Sequence, residues 1–183
     1  MTLAILIEAI LLGAALAMDA MAASVALGAA DRLEFNWKKI VVTAGFFGFF
    51  QFSMPLIGFI GSGFAEEAVA QYGKWIAGIL LMGIGGKMFF DRNDSEAHKF
   101  SLQKVTVLAF ATSIDALLVG VGFRCLHRTS ILPEIIIIGV ITALISAGGC
   151  LLGCWSGRML GNHCLILGAA VLIMLGIKII IFN

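Results

Sequence analysis

Long apolar runs dominate this sequence and constrain its fold more than any other feature. Six runs, each near the ~20 residues that a helix needs to cross a bilayer, fill most of the chain. They cover residues 3–29, 40–63, 75–90, 105–123, 131–155 and 164–182. Charged residues make up 13% of the chain and the mean hydropathy is +1.06, whereas soluble domains carry about 25% charged residues. The sequence therefore predicts an all-α integral membrane protein with six transmembrane helices.

Composition also excludes several classes of function. A formal net charge of +1 provides no basic surface for nucleic acid, and the sequence contains no phosphate-binding motif of the ATPases. The four cysteines, at positions 125, 150, 154 and 164, form no Cys-x-x-Cys pair, so we expect inert thiols rather than a zinc or redox centre. We expect no enzymatic activity, no resident cofactor, and the lipid bilayer as a partner.

Two aspartates interrupt the apolar runs at matching places. Asp19 lies in the segment MDAMAAS at residues 18–24, and Asp115 lies 96 positions later in SIDALLVG at residues 113–120. A carboxylate at the centre of a membrane helix costs about 2.5–3.5 kcal/mol on insertion scales, so such residues usually mark a functional site. The structural alternative is a plain interhelical hydrogen bond.

The two halves of the chain match at two further places. GFIGSG at residues 58–63 resembles GCWSG at residues 153–157, and GGK at residues 85–87 resembles GIK at residues 176–178. The offsets of the three matches are 96, 95 and 91 positions, which is nearly constant. Three ordered matches favour an internal duplication over chance similarity between apolar segments.

The duplication predicts the domain organisation. Residues 1–90 form a first three-helix repeat, residues 91–104 a polar connecting loop, and residues 105–183 a second three-helix repeat. Because each repeat has an odd number of spans, the two must enter the membrane in opposite directions. Such inverted-topology repeats are typical of secondary transporters, whose sites lie near the membrane midplane between the repeats.

The residues in and around the two aspartate segments are those expected of a cation site near the membrane midplane. Small residues surround both aspartates at helical spacing, which favours close helix contact. Two ionised carboxylates side by side repel each other unless a proton or a divalent cation compensates them. Oxygen ligands favour Mg²⁺, Ca²⁺ or Mn²⁺.

Neutral oxygens add to the candidate site. Pro55 frees a backbone carbonyl one turn earlier, at Gln51. The predicted cation ligands are Asp19, Asp115, Gln51, Thr112, Ser113 and Ser24. The alternatives are that Gln51 bonds a neighbouring helix and that Pro55 only makes a kink. Lys87 and Lys178 lie near the ends of their runs, where we expect them to extend towards the interface.

These segments resemble the MntP-type manganese efflux pump family of small bacterial inner-membrane proteins. The resemblance rests on residues 18–24 and 113–120, and on FGFFQ at 47–51, MPLIG at 54–58 and GGKM at 85–88. It covers the whole chain. One difference is Met21, where Phe is common in the family, and this difference leaves both aspartates in place. The resemblance implies six helices, Mn²⁺ as the transported substrate and kinship with LysE-type exporters.

Three functions remain as hypotheses from the sequence. The first is a secondary-active Mn²⁺ exporter of the bacterial inner membrane that uses the proton gradient. The second is an exporter of a cationic amino acid, whose ammonium the aspartates would hold. The third is a membrane thiol-disulfide electron carrier, which we discount because the first half of the chain contains no cysteine.

Basic residues predict the orientation. Eight Lys and Arg residues fall on the side of the loops after helices one, three and five, and four on the other side. Short loops rich in Lys and Arg stay in the cytoplasm. These three loops are therefore expected inside and both termini outside.

A labelling experiment checks this orientation. We expect a cysteine at Asn93, in a background without native cysteines, to react with a membrane-impermeant maleimide only after cells are permeabilised. Labelling of intact cells would contradict the predicted topology.

Overall fold

The chain folds into helices throughout the part that the structure describes. The computed structural model describes residues 3–30, 36–90, 101–125, 131–160 and 162–182, and within these ranges no strand occurs. The helices are α1 (Leu3–Ala30), α2 (Trp37–Phe90), α3 (Leu102–Thr112), α4 (Ile114–Cys125), α5 (Leu132–Leu160) and α6 (Asn162–Phe182). The expected all-α class is confirmed. Most of the predicted connecting loop lies outside the described residues, and its last three residues belong to α3.

Four described stretches are long and apolar enough to cross a membrane. They are Ile5–Ala29, Trp37–Gly61, Leu102–Arg124 and Leu132–Ser156. Two shorter apolar helical stretches, Trp75–Gly86 and Gly168–Ile181, fall at the third and sixth predicted runs. We call Trp37–Gly61 α2N and Trp75–Gly86 α2C.

The second and third predicted runs fall within one helical element, because helical conformation in α2 continues over 54 residues. Residues 65–71, AEEAVAQ, lie within the interval between the runs and are mostly good helix formers, and the helix continues through Gly63 and Gly73 on either side of them. A straight helix of this length would extend about 81 Å, far more than a bilayer is thick. The neighbours of α2 show that its path is not straight.

Close helix contacts give the direction of each part of α2. α1 and α5 are parallel, α2N is antiparallel to α5, α2C is antiparallel to α6, and α6 is antiparallel to α1. The contacts are Gly13 with Ile138, Gly28 with Cys150, Gly48 with Ala143, Gly139 with Phe52, Gly78 with Gly176, Gly85 with Ala169, Gly168 with Ala26, and Lys178 with Asp19. α2N and α2C therefore run in opposite directions, and α2 reverses between Gly61 and Trp75.

The fourth predicted run is divided at Ser113 into α3 and α4. Ser113 has φ −102° and ψ 3°, and its N–H bonds the Phe110 carbonyl oxygen at 3.2 Å, as in a tightened last turn. Thr112 and Ser113 explain the break, because hydroxyl side chains near the backbone compete for its hydrogen bonds. The span predicted over residues 105–123 lies within the apolar stretch Leu102–Arg124, and the break at Ser113 within it was not predicted.

Glycines allow two pairs of helices to approach at backbone distance. A Cβ atom on Gly153 of α5 would collide with the Val25 carbonyl oxygen of α1, and one on Gly58 of α2N would collide with the Leu117 carbonyl oxygen of α4. Lipid provides no hydrophobic force between helices, so membrane helices associate through such close packing. Both glycines belong to the matched segments of the two halves.

Substituting these glycines tests the packing. We expect Gly58→Ala and Gly153→Ala each to lower the free energy of unfolding by about 1–3 kcal/mol, the usual cost of overpacking. Gly45→Ala is the matched control, because no atom lies within 4 Å of a Cβ there, and a Gly-to-Ala change at an open helix position is neutral or stabilising. Unfolding of the purified protein in mixed micelles measures the difference, and equal effects at all three positions would contradict it.

Candidate cation site

Asp19 lies near the middle of α1 and is paired with a lysine from α6. Lys178 Nζ donates to Asp19 Oδ1 at 3.4 Å. At 1.5 Å per residue, α1 extends about 24 Å from Asp19 to Leu3 and about 16 Å to Ala30. The Lys178 ammonium therefore meets a carboxylate at mid-helix, a contact that its position near the end of its run did not indicate.

Asp115 lies at the first turn of α4, directly after the break in the helix. Its Oδ1 accepts the Ala116 N–H at 2.7 Å. The first N–H groups of a helix have no partner within the helix, and the N-terminal end of the helix dipole favours a negative charge. The break at Ser113 thus creates a helix N-terminus that offers this carboxylate a backbone N–H donor.

The two aspartates and Lys178 form one electrostatic group. Asp115 is close enough to Asp19 and Lys178 for both charges to act on it. Among the described residues no cluster of three or more His, Cys, Asp or Glu side chains suits a metal ion. A cation held by these two carboxylates would therefore need neutral oxygens as its further ligands.

Gln51 provides such an oxygen. Its Nε2 donates to the Leu16 carbonyl oxygen of α1 at 3.2 Å, whereas its buried Oε1 has no hydrogen-bond partner. The interhelical bond named as the alternative for Gln51 is therefore present, but it uses only the amide nitrogen. The bond also fixes the side chain one turn of α1 from Asp19, with the oxygen available as a ligand.

Thr112 and Ser113, also predicted as ligands, complete the end of α3. Thr112 Oγ1 donates to the Leu108 carbonyl oxygen at 2.9 Å, and Ser113 Oγ donates to that of Phe110 at 3.0 Å. Both residues are buried next to Asp115 in sequence. A hydroxyl that donates still has lone pairs to offer, so both remain candidate ligands.

Ser24 lies apart from Asp19. Five residues separate the two on α1, which turns Ser24 about 140° around the helix, and its Cβ lies against Gly149 of α5. Its hydroxyl belongs to a set of buried oxygens without partners, which are Ser24 Oγ, Gln51 Oε1, Thr142 Oγ1 and Ser146 Oγ. Because an unpaired buried polar group is costly, these four atoms suit water or a cation, and a role for Ser24 as a ligand stays a prediction.

Sequence reasoning missed two charged groups. Lys178 is one, since its partner Asp19 lies 159 positions away and only the packing of α6 on α1 brings them together. Glu134 is the other, a carboxylate that is 3% exposed in the first turn of α5. Pro133 just before it was the available signal, because a proline followed by an acid is typical of a helix start.

Known proteins resemble this chain over nearly its whole length. The family model described as "Putative manganese efflux pump" matches residues 34–180. The chain belongs to this family. It is 40% identical to the "Putative manganese efflux pump MntP" of Methanospirillum hungatei JF-1 over 97% of this chain and 94% of the relative. It is 42% identical to the protein of the same description from Methanocorpusculum labreanum, over 97% and 96%. No solved structure matches the chain.

Family membership confirms the resemblance that the aspartate motifs indicated. The apolar helices and the family together make this chain a multi-pass membrane protein of a manganese-efflux family. The transport function expected from the sequence therefore agrees with both kinds of observation.

The contact of Asp115 with the N-terminus of α4 predicts different effects for two substitutions. Asp115→Asn keeps an oxygen acceptor for the Ala116 N–H, so we expect it to fold with nearly the stability of the original chain. Asp115→Ala removes the acceptor and should lower the free energy of unfolding by about 1 kcal/mol, as for other helix caps. Unfolding titrations of the two purified variants check this, and equal stability would show that the bond at 2.7 Å contributes nothing.

Proposed function

We propose that this protein exports Mn²⁺ across the cytoplasmic membrane as a secondary-active transporter coupled to protons. The observation that carries the proposal is the pair of aspartates within two apolar helices, α1 and α4, in a chain that belongs to a manganese-efflux family. A site with two carboxylates and neutral oxygens is typical of hard divalent cations.

The proposed architecture has six spans in two inverted repeats. The opposite directions of α2N and α2C support two spans within α2. The contacts of Gly58 with α4 and of Gly153 with α1 support the repeat, because the glycines are 95 positions apart and each faces an aspartate-bearing helix of the other half. A broken helix beside the site, such as α3–α4, is a common feature of such transporters.

The proposed substrate site consists of Asp19, Asp115 and the Gln51 side-chain oxygen, with Thr112 and Ser113 beside them. The carboxylates balance the charge of Mn²⁺, and the neutral oxygens complete its coordination. Gln51 fits this role because its amide nitrogen is held by α1 while Oε1 has no partner.

The transport cycle follows from the charges. Facing the cytoplasm, the ionised aspartates bind Mn²⁺. Facing outward, they release the metal as protons from outside enter the site. The unloaded protein then returns without an uncompensated charge at mid-membrane, which would be costly there. The excess of basic residues in the loops after helices one, three and five supports a cytoplasmic location for those loops and an outward location for both termini.

Export of a cationic amino acid is the second candidate, and one contact favours it. Asp19 already holds a primary ammonium, that of Lys178, at 3.4 Å. A free amino acid with a side-chain ammonium would offer the same group. Competition between lysine and Mn²⁺ in a flux assay separates the two candidates.

Flux into proteoliposomes tests the proposed function. We expect Mn²⁺ to enter the proteoliposomes faster when the proton concentration is higher inside than outside. Excess lysine should not reduce the rate of Mn²⁺ transport. Asp19→Asn and Asp115→Asn should each lower the rate by more than about 100-fold, since loss of an outer-shell partner alone costs 10–100-fold at metal sites. Gln51→Ala should cost less, about tenfold, because a neutral ligand holds a divalent ion less strongly than an anion.

Glu8→Gln is the matched control, because it neutralises another carboxylate of α1, one that is exposed and distant from Asp19. Its rate should stay within about twofold of the original. Normal transport by either aspartate variant would reject the shared site, whereas transport indifferent to the proton gradient would reject only the coupling.

A further inference from the structure

Lys178 is a positive charge that the proposed site does not use. Its Nζ lies 3.4 Å from Asp19 Oδ1, although a ligand for a metal ion must not be occupied by another cation. The lysine side chain is 59% exposed and the aspartate 19%. The carboxylate is thus held in the helix packing, whereas the lysine has room to move on its flexible four-carbon stem.

We propose that the Lys178 ammonium is a tethered counter-ion that occupies Asp19 when the transported cation is absent and must leave it before the cation binds both aspartates. The proposal rests on the proposed function. It assigns Lys178 as a positioning residue, since it acts on the transported ion through Asp19 rather than by touching it.

The charges explain why the ammonium and the cation exclude each other. Both are positive charges that the single Asp19 carboxylate would have to hold, and the Lys178 charge also acts on Asp115. A divalent ion between the aspartates would therefore stand next to a positive charge in surroundings that screen it poorly. Binding of the ion moves the ammonium away, and release of the ion lets it return.

The depth of the pair explains what the lysine contributes. A bare carboxylate at the middle of α1 is costly in a membrane. With the ammonium in place, Asp19 is compensated while the site is empty. The lysine thus lowers the affinity of the site for the cation. At the same time it allows the empty protein to change between its inward-facing and outward-facing states.

Equilibrium binding tests the first consequence. In detergent, Lys178→Met removes the competing charge, so we expect its Kd for Mn²⁺ to fall at least tenfold, whereas Lys178→Arg should stay near the original value. Lys178→Gln gives the same test if the Met variant does not fold, because the amide can still donate to Asp19. Lys38→Met is the matched control, a lysine removed at the exposed start of α2, and its Kd should stay within about twofold.

Two modes of flux test the second consequence. We expect Lys178→Met to slow net Mn²⁺ efflux into metal-free buffer at least fivefold, because the empty site must return, and to retain Mn²⁺/Mn²⁺ exchange, in which the site returns loaded. Lys178→Arg should restore net efflux. A purely structural role would lower both modes together and leave the Kd unchanged or higher, and this result would overturn the inference. If the original protein binds no Mn²⁺, the proposed function fails and the inference fails with it.

Discussion

The cost of a carboxylate in the middle of an apolar helix is the constraint on which the rest of this structure depends. Two such groups are present, and the protein compensates each differently. Asp19 receives an ammonium from a helix near the other end of the chain, at 3.4 Å. Asp115 receives a backbone N–H at 2.7 Å, at a helix N-terminus that exists because one residue, Ser113, separates α3 from α4. Each arrangement gives a carboxylate within an apolar helix a polar partner, which lowers the cost of placing it there.

Both arrangements need helices that approach each other closely. α6 brings Lys178 to α1, and Gly168 on the same helix lies against Ala26. α2N reaches α4 through Gly58, and this approach also positions Gln51 with its bond to α1. In lipid, small residues and polar bonds are the forces available for such contacts. The glycines at these contacts therefore determine where the charged groups meet, although they carry no charge or polar side chain themselves.

Much of this could be predicted from the sequence, because the signals are local. The apolar runs follow from bilayer thickness, and the aspartates at positions 19 and 115 contrast with their apolar surroundings. Other features could not be predicted. The break at Ser113 depends on whether hydroxyls bond their own backbone, which the residue types allow but do not require. The reversal between Gly61 and Trp75 agrees with the expected turn between two spans, but the helical conformation of residues 62–74 was not expected there.

The partner of Asp19 was beyond sequence reasoning for a different reason, and it makes the two aspartates unequal. Nothing local connects positions 19 and 178, so only the packed helices reveal the pair. The two aspartate motifs match in sequence, yet one carboxylate is held by a mobile side chain and the other by a fixed backbone group. A mobile partner can give way to an arriving cation, whereas a backbone N–H cannot leave. In the proposed site, Asp115 is therefore a ligand that is always prepared, whereas Asp19 must first be released from Lys178, and the exchange of cations at Asp19 would distinguish the empty state from the loaded one.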